Sequence, residues 1–247
     1  MPAAPHRASQ SRSCAVPADT PGIPGLLSAA AQAGHGLPAL SPSACAAALG
    51  LDGLTLCVLD RSGLELVWYD PADIVGIAFE DLQFTLGEGP TLDVARTGEP
   101  VLVPDLQALP GHRWPALLAA LHRKLPRVAY SVPLSLGAIR LGVLNGHRST
   151  PGLPTRSQLG QLFALAEGVT AILTTPDGIH DMGTNNPIPL HRAVIHQATG
   201  ALTVLLDIPI DQALARLRAY AFTHNLALLD VAHAVVHHQD TLDKPPG

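Results

Sequence analysis

Apolar and polar positions in the first part of the chain alternate between strand-like and helix-like patterns. Short apolar runs beside turn residues predict strands over 54–59, 64–69, 101–103, 128–136 and 139–145. Apolar residues at helical spacing predict helices over 26–34, 43–49, 72–84, 91–96, 114–125 and 158–173. This order of elements indicates an α+β domain of the kind found in sensor proteins.

The last part of the chain is purely helical in pattern. Residues 174–189 hold three prolines and two glycines without apolar periodicity, which marks a domain boundary. Beyond it, apolar stripes predict three short helices, over 190–206, 211–225 and 228–238. A bundle this small fits an appended effector domain better than an independent enzyme. We therefore predict a disordered leader (1–21), a sensor domain (22–174), a linker (175–187), a three-helix domain (188–240) and a disordered tail (241–247).

Composition excludes several classes of protein. Hydrophobic residues make up 47% and charged residues 14% of the chain, the opposite of a disordered protein. No apolar run has the length of a membrane span, and the N-terminus lacks the apolar stretch of a signal peptide, so we expect a cytoplasmic protein with no membrane partner. The three cysteines, Cys14, Cys45 and Cys57, fit neither a disulfide framework nor a zinc site.

Net charge gives nucleic acid no general attraction to this chain, because it is −5 with histidine neutral. Histidine changes this picture conditionally. Six of the twelve histidines follow residue 187, so weak acid would make that segment more cationic. Compositional drift in a GC-rich genome is an alternative explanation of the histidine count.

An ordered series of residues runs through the three C-terminal helices. It comprises Gln197, Ala198, Thr199 and Gly200, then Ala213, Leu217, Arg218 and Ala221, then Asp230, Val231, Ala232, Val235 and Val236. In this series the stretch 192–236 resembles the ANTAR family of RNA-binding antitermination regulators. The resemblance implies a module that binds paired hairpins in nascent RNA, commonly as a dimer, and prevents termination.

Small residues in these helices have a packing rationale. At Ala198 and Gly200 they let another helix approach closely, so a large side chain at Gly200 is expected to destabilise the domain. The predicted structural core of the RNA-binding domain is Ala198, Gly200, Ala213, Leu217, Ala221 and Ala232.

Two upstream stretches, 80–106 and 127–148, resemble the GAF domains that precede ANTAR domains in actinobacterial regulators. The resemblance spans about 22–173 and implies an antiparallel sheet with flanking helices. Those proteins often have cysteine directly after a GEGP motif. Here Thr91 occupies that position, so thiol-based sensing there is unsupported.

The resemblance also implies which residues contact RNA, whose phosphates attract cationic side chains. The candidates are Arg192, His196, Arg216, Arg218 and His224. Residues 188–247 contain four cationic side chains against five carboxylates, so modest binding is expected unless a homodimer doubles the contacts. Arg218 has the alternative role of pairing with Asp211 or Asp230 inside the bundle.

Candidate sensor-pocket residues for an unknown small-molecule ligand are Trp68, Phe84, Gly87, Gly89 and Trp114. Core packing is the alternative for each aromatic residue, and Gly87 and Gly89 are expected to form a tight turn. Neither a cofactor motif nor a catalytic constellation is present, and His233 and His237 lack the glutamate of a metalloprotease motif. We therefore expect no enzyme activity, cofactor or metal.

The sequence predicts an RNA-binding antitermination regulator in which a GAF-like domain senses a signal. Sensing would alter dimer geometry and so shift the population that binds RNA. Three other functions stay open. They are a DNA-binding regulator with a helix-turn-helix-like tail, a small GAF-type reductase, and a sensor whose degenerate tail makes only protein contacts.

Overall fold

The computed structural model describes residues 21–60, 63–120, 126–175, 192–224 and 226–238 of the chain. The predicted tail, nearly all of the predicted leader and most of the predicted linker lie outside these residues, as does the predicted end of the helix at 121–125.

The first domain is an α+β unit, as the sequence predicts. Its elements, with short 3-10 turns after α1 and β3, are α1 Ile23–Ala33, α2 Pro42–Leu49, β1 Gly53–Asp60, β2 Gly63–Tyr69, α3 Ile74–Leu86, α4 Pro90–Thr97, β3 Val101–Val103, α5 Pro115–Ala120, β4 Val128–Leu136, β5 Ile139–Arg148 and α6 Arg156–Leu173. All five predicted strands and the six predicted helices are present, with ends that differ by a few residues.

The strands form one antiparallel sheet in the order β2-β1-β5-β4-β3. Helices α1, α2 and α6 pack on one face of it, and α3 and α4 pack on the other. Side chains alternate between the faces, so Leu54 and Leu56 of β1 join the core under α6 while Thr55 and Cys57 face α3. This alternation places polar side chains under α3.

Two glycines make the turn between α3 and α4 that the sequence predicts. Gly87 ends α3 with a φ of +71°, and Gly89 precedes α4 with a φ of +137°. A Cβ atom on Gly89 would lie 2.5 Å from Oε1 of Gln83, so a larger residue does not fit there. The turn therefore needs glycine for both conformation and space.

The C-terminal domain consists of α7 Ala193–Leu206, α8 Ile210–Thr223 and α9 Leu228–His238. Its core holds five of the predicted structural residues, Ala198, Ala213, Leu217, Ala221 and Ala232, each at most 1% exposed. Within the described residues helix α7 begins at Ala193, and the predicted start of this helix at 190–191 lies outside them. The backbone N–H of Arg192, just before the helix, donates to Glu65 of the first domain.

Gly200 does not have the packing role expected of it. A Cβ atom there would meet no heavy atom within 4 Å outside its own helix and chain neighbours. The buried face of α7 runs through Ile195, Ala198 and Leu202. Gly200 is two residues from Ala198, about 200° around the helix, and so faces away from the core. The prediction of a close helix approach at Gly200 is wrong.

Membrane-spanning potential is low among the described helices. No single one is long and apolar enough to cross a bilayer, although α7 and α8, which meet at a bend of 110°, pass that test as a pair by length and composition. The apolar face of each of these two helices is buried in the core of the C-terminal domain.

Two helical glycines give opposite predictions. Gly200→Ala is expected to stabilise the protein by about 0.5–1 kcal/mol, because alanine has the higher helix propensity and its methyl group meets open space. Gly76→Ala in α3 is the matched control. Its Cβ would lie 2.3 Å from Oδ2 of Asp73, so the cap of α3 is displaced and stability falls by about 1 kcal/mol or more. Urea unfolding measures both, and a loss of stability in Gly200→Ala would contradict the assignment.

Candidate nucleic-acid interface and domain junction

Phe84, near the end of α3, belongs to the core of the C-terminal domain. Its side chain is 3% exposed and packs with buried residues of α7, α8 and α9. Two guanidinium groups contact its ring, that of Arg192 at 4.2 Å and that of Arg218 at 4.7 Å from the centroid. Phe84 is therefore a junction residue, and it also lines a cavity between the domains in which neither Trp68 nor Trp114 takes part.

Arg192 is 1% exposed and lies between the two domains. Its Nη1 donates to the carbonyl oxygen of Leu64 at 2.9 Å, and its Nη2 donates to the carbonyl oxygen of Glu80 at 3.0 Å and to Oδ1 of Asp81 at 3.3 Å. Its backbone N–H donates to Oε1 of Glu65 at 2.7 Å. The prediction that Arg192 contacts RNA is wrong for this structure, because its guanidinium is buried against the first domain.

His196, one turn further along α7, binds the same carboxylate. Its Nε2 lies 3.1 Å from Oε2 of Glu65, whose side chain is 3% exposed. Glu65 of β2 thus holds the start of α7 at two points. The structure places His196 at the domain junction rather than on an open helix face.

Arg218 of α8 approaches the junction from the other side. Its Nε is buried without a hydrogen-bond partner, and among the described residues it forms no ion pair with Asp211 or Asp230. Burial, together with the charges of Arg192 and Arg96, lowers the pKa of Arg218 to about 10. Arg218 is therefore a strongly desolvated cation.

Only two of the five candidate RNA contacts are exposed. Arg216 lies on the open face of α8. His224 follows α8 and stacks on Tyr220 with ring centroids 4.0 Å apart. The described structure thus splits the candidate set into an exposed pair and a group of three at the junction.

A buried carboxylate, Glu80, organises the polar side chains under α3. Its Oε1 accepts hydrogen bonds from Thr55 at 2.9 Å, Thr91 at 3.1 Å and Asn145 at 2.7 Å. Burial raises the pKa of Glu80 above its ordinary value, although the charge of Arg192 and these three donors act in the opposite direction. Thr91 therefore has a structural role at the position where cysteine often follows GEGP.

Cys57 lies beside the same carboxylate. Its Sγ is 3.5 Å from Oε2 of Glu80. Burial, and then the charge of Glu80, raises the pKa of the Cys57 thiol well above its ordinary value. The thiol is therefore a poor nucleophile.

A cleft of about 810 Å³ lies at the start of α3. Its walls include Asp52, Asp70, Asp73, Ile74, Val75 and His147. His147 is 2% exposed, and its Nε2 lies 2.8 Å from Oδ2 of Asp73. Burial acts to raise the pKa of Asp73, but the hydrogen bonds and charge of His147 and the N–H of Gly76 outweigh it, so this pKa lies below its ordinary value.

The residues predicted for the sensor pocket do not line this cleft. Trp68 packs in the core under α6 and donates its indole N–H to the carbonyl oxygen of Leu40 at 2.8 Å. Trp114 packs on the other side of the sheet and donates to Oδ2 of Asp93 at 2.9 Å. The two tryptophans lie on opposite faces of the sheet, so the prediction of a single pocket containing them, Gly87 and Gly89 is wrong.

A second cavity, of about 330 Å³, lies between the domains. Phe84, Thr85 and Ala78 of α3 face Ile195 of α7 and Leu228 of α9 across it. The described residues contain no group of three or more side chains suited to a metal ion. His233 and His237 instead stack on each other, with ring centroids 6.1 Å apart.

The sequence analysis did not identify Glu65, Glu80 and His147. Glu65 and Glu80 hold the domain junction, and His147 lines the cleft. Each is a titratable residue inside an otherwise apolar strand or helix pattern. A titratable residue in such a pattern is buried and needs a buried partner, so its position in the pattern could have identified it.

Comparison with protein families agrees with this architecture. The model of the GAF domain matches residues 34–174, and the model of the ANTAR domain matches residues 190–236. No curated protein matches the chain.

Several solved structures are similar to the first domain. The GAF domain from an Acinetobacter phosphoenolpyruvate-protein phosphotransferase is 15% identical, covering 67% of this chain and 95% of that one, with a TM-score of 0.49. Its counterpart from Coxiella burnetii is 17% identical, covering 66% and 96%, with a TM-score of 0.47. A free methionine-R-sulfoxide reductase from Neisseria meningitidis, in complex with its substrate, is 20% identical, covering 61% and 84%, with a TM-score of 0.44.

Removing the guanidinium of Arg192 is expected to be costly. Arg192→Ala leaves Asp81 and the carbonyl oxygens of Leu64 and Glu80 without their buried cation, so stability should fall by about 3–5 kcal/mol. The control is Arg156→Ala, which removes an exposed side chain at the start of α6 and should change stability by less than about 0.5 kcal/mol. Urea unfolding followed by circular dichroism gives both values. Equal, small losses would show that Arg192 does not hold the domains together.

Glu80 is expected to make the stability of the protein depend on pH, in a direction that its raised pKa determines. Since its folded pKa is raised, it contributes stability that is fully present below its ordinary pKa of 4.5 and is lost as pH rises through the folded pKa. Glu80→Gln keeps the acceptor oxygen but does not titrate. The free energy of unfolding of the parent minus that of the variant should therefore fall as pH rises above 4.5 and then level off. Urea unfolding between about pH 4 and 8 measures it, and a difference that rises with pH would reverse the assignment.

Proposed function

Because the chain belongs to the GAF domain family and has an ANTAR domain after its GAF domain, we propose that it is an RNA-binding transcription antitermination regulator. ANTAR domains are RNA-binding antitermination modules, and GAF domains are sensor modules. Both are typically non-catalytic. The observation that carries the proposal is the match of the ANTAR model to all three C-terminal helices, 190–236.

Arg216, the exposed cation of α8, supports RNA contact by this domain. Arg216 lies open to solvent, and Arg218 lies two residues further on, toward the GAF domain. Arg192 and His196 are engaged by Glu65 and are not part of the proposed contact surface. Arginine suits this role because its guanidinium binds phosphate oxygens with two parallel hydrogen bonds.

The GAF domain supplies the proposed sensor. The cleft at the start of α3 has apolar surface from Ile74 and Val75 and acceptor oxygens from Asp52, Asp70 and Asp73. It suits a small molecule with an apolar body and hydrogen-bond donors. We place the regulator in the cytoplasm. We propose that it is a homodimer, because two weakly charged RNA-binding domains bind hairpins more tightly than one.

A second candidate function is protein binding by the C-terminal domain. It is favoured by apolar side chains on the surface of the C-terminal domain, with Val204 84% exposed and Phe222 65% exposed. Exposed apolar surface of this kind is typical of a protein contact site.

The proposal is tested by selecting RNAs from a two-hairpin library on the full-length protein. Arg216→Ala should lower the affinity for the selected RNA several-fold and reduce the slope of log affinity against log salt by about 1, without loss of protein stability. Arg156→Ala serves as the control and should leave both unchanged. If no RNA is enriched from the library, the proposal is refuted and protein binding by the C-terminal domain is favoured.

A further inference from the structure

Three arginines form a continuous row across the domain junction. Nη1 of Arg140 donates to the carbonyl oxygen of Arg96 at 2.6 Å, and Nη2 of Arg96 donates to the carbonyl oxygen of Gly87 at 2.8 Å. A Cβ atom on Gly87 would lie 3.7 Å from Nη1 of Arg218. The row thus passes from β5 to α4, over the glycine turn, and onto α8 of the C-terminal domain.

Few carboxylates neutralise this row. Arg96 and Asp93 are 4.0 Å apart, with side chains 60% and 35% exposed, so this ion pair is weak. Glu88 is turned away and accepts the backbone N–H of Leu117 at 2.7 Å. Exposed Glu99 follows Gly98, and Asp81 is engaged by Arg192.

Arg218 shows the electrostatic consequence. Its side chain is desolvated and lies in the field of Arg96 and Arg192, and its Nε has no partner among the described residues. Because this Nε is buried, an anion that relieves the repulsion between like charges would lie beside the exposed side chain of Arg96. Phosphate is the anion whose geometry arginine matches best.

We propose that Arg96 and Arg140 of the GAF domain and Arg218 of the ANTAR domain form one phosphate-binding surface, on which RNA lies across the domain junction. This inference rests on the proposed function and adds a partner surface to it. Binding is then a property of the docked pair of domains, and the GAF domain contributes directly to RNA affinity.

The shape of α8 favours an extended polyanion over a small anion. Arg216 and Arg218 are about 200° apart around the helix axis. A strand that contacts both must curve around α8 toward the GAF domain, where Arg96 and Arg140 continue the row. A free phosphate ion would engage only one or two of these side chains.

The test measures binding of the selected two-hairpin RNA to full-length protein. Arg96→Gln combined with Arg140→Gln should weaken binding at least tenfold and lower the salt slope by about 2, one for each phosphate contact removed. Arg156→Gln, which removes one exposed arginine from α6, should leave the affinity and the slope unchanged. Thermal unfolding of each variant shows whether the fold is retained.

A second variant separates charge from structure. Arg96→Lys combined with Arg140→Lys keeps both charges but loses the fork geometry, so it should retain most of the salt slope while losing part of the affinity. If the glutamine pair binds RNA like the parent while Arg216→Ala weakens it, the junction surface is overturned and the proposed function stands. If the parent enriches no RNA, both fail. A DNA duplex bound as tightly as the RNA, and weakened equally by the glutamine pair, would assign the row to DNA and overturn the inference.

Discussion

The arrangement of the two domains depends on the burial of one positive charge. Moving a guanidinium out of water costs several kcal/mol unless charged and hydrogen-bonding partners replace the solvent. Among the described residues, Arg192 finds these partners in the GAF domain, in two carbonyl oxygens, Asp81 and the face of Phe84. Separating the domains would expose Phe84 and leave Glu65 without the backbone N–H that it accepts. One side chain therefore makes docking specific in position as well as favourable in energy.

Glu80 connects this junction to the interior of the GAF domain. Its backbone carbonyl accepts Arg192, and its carboxylate accepts Thr55, Thr91 and Asn145 from three other elements. A carboxylate in this position is costly to ionise, and the charge of Arg192 reduces that cost. The polar interior under α3 and the docking of the C-terminal domain are thus parts of one electrostatic arrangement.

The fold was largely predictable from the sequence, whereas the site was not. Periodicity depends on local burial, so strands such as Val101–Val103 and helices such as α9 have the predicted bounds. Arg192 was predicted to contact RNA, and its partners in the structure could not be foreseen because they lie more than 100 residues away in the chain. Trp68 and Trp114 were grouped by residue type, but strand alternation places them on opposite faces of the sheet. Gly200 was assigned to the core because its small size suggested a close helix approach, but the helical angle from Ala198 turns it outward.

Helix α3 lines both the cleft of the GAF domain and the cavity between the two domains. Ile74, Val75 and Ala78 line the cleft, and Ala78 and Phe84 line the cavity between the domains, over a helix of 13 residues and about 20 Å. If α3 moves as one rigid unit, a shift at its first turn also displaces Phe84 in its last turn. Such a linkage is reciprocal: whatever factor a cleft ligand imposes on nucleic-acid affinity, the nucleic acid imposes on the ligand. The transcript would then act as an effector of the sensor as much as the sensor acts on the transcript.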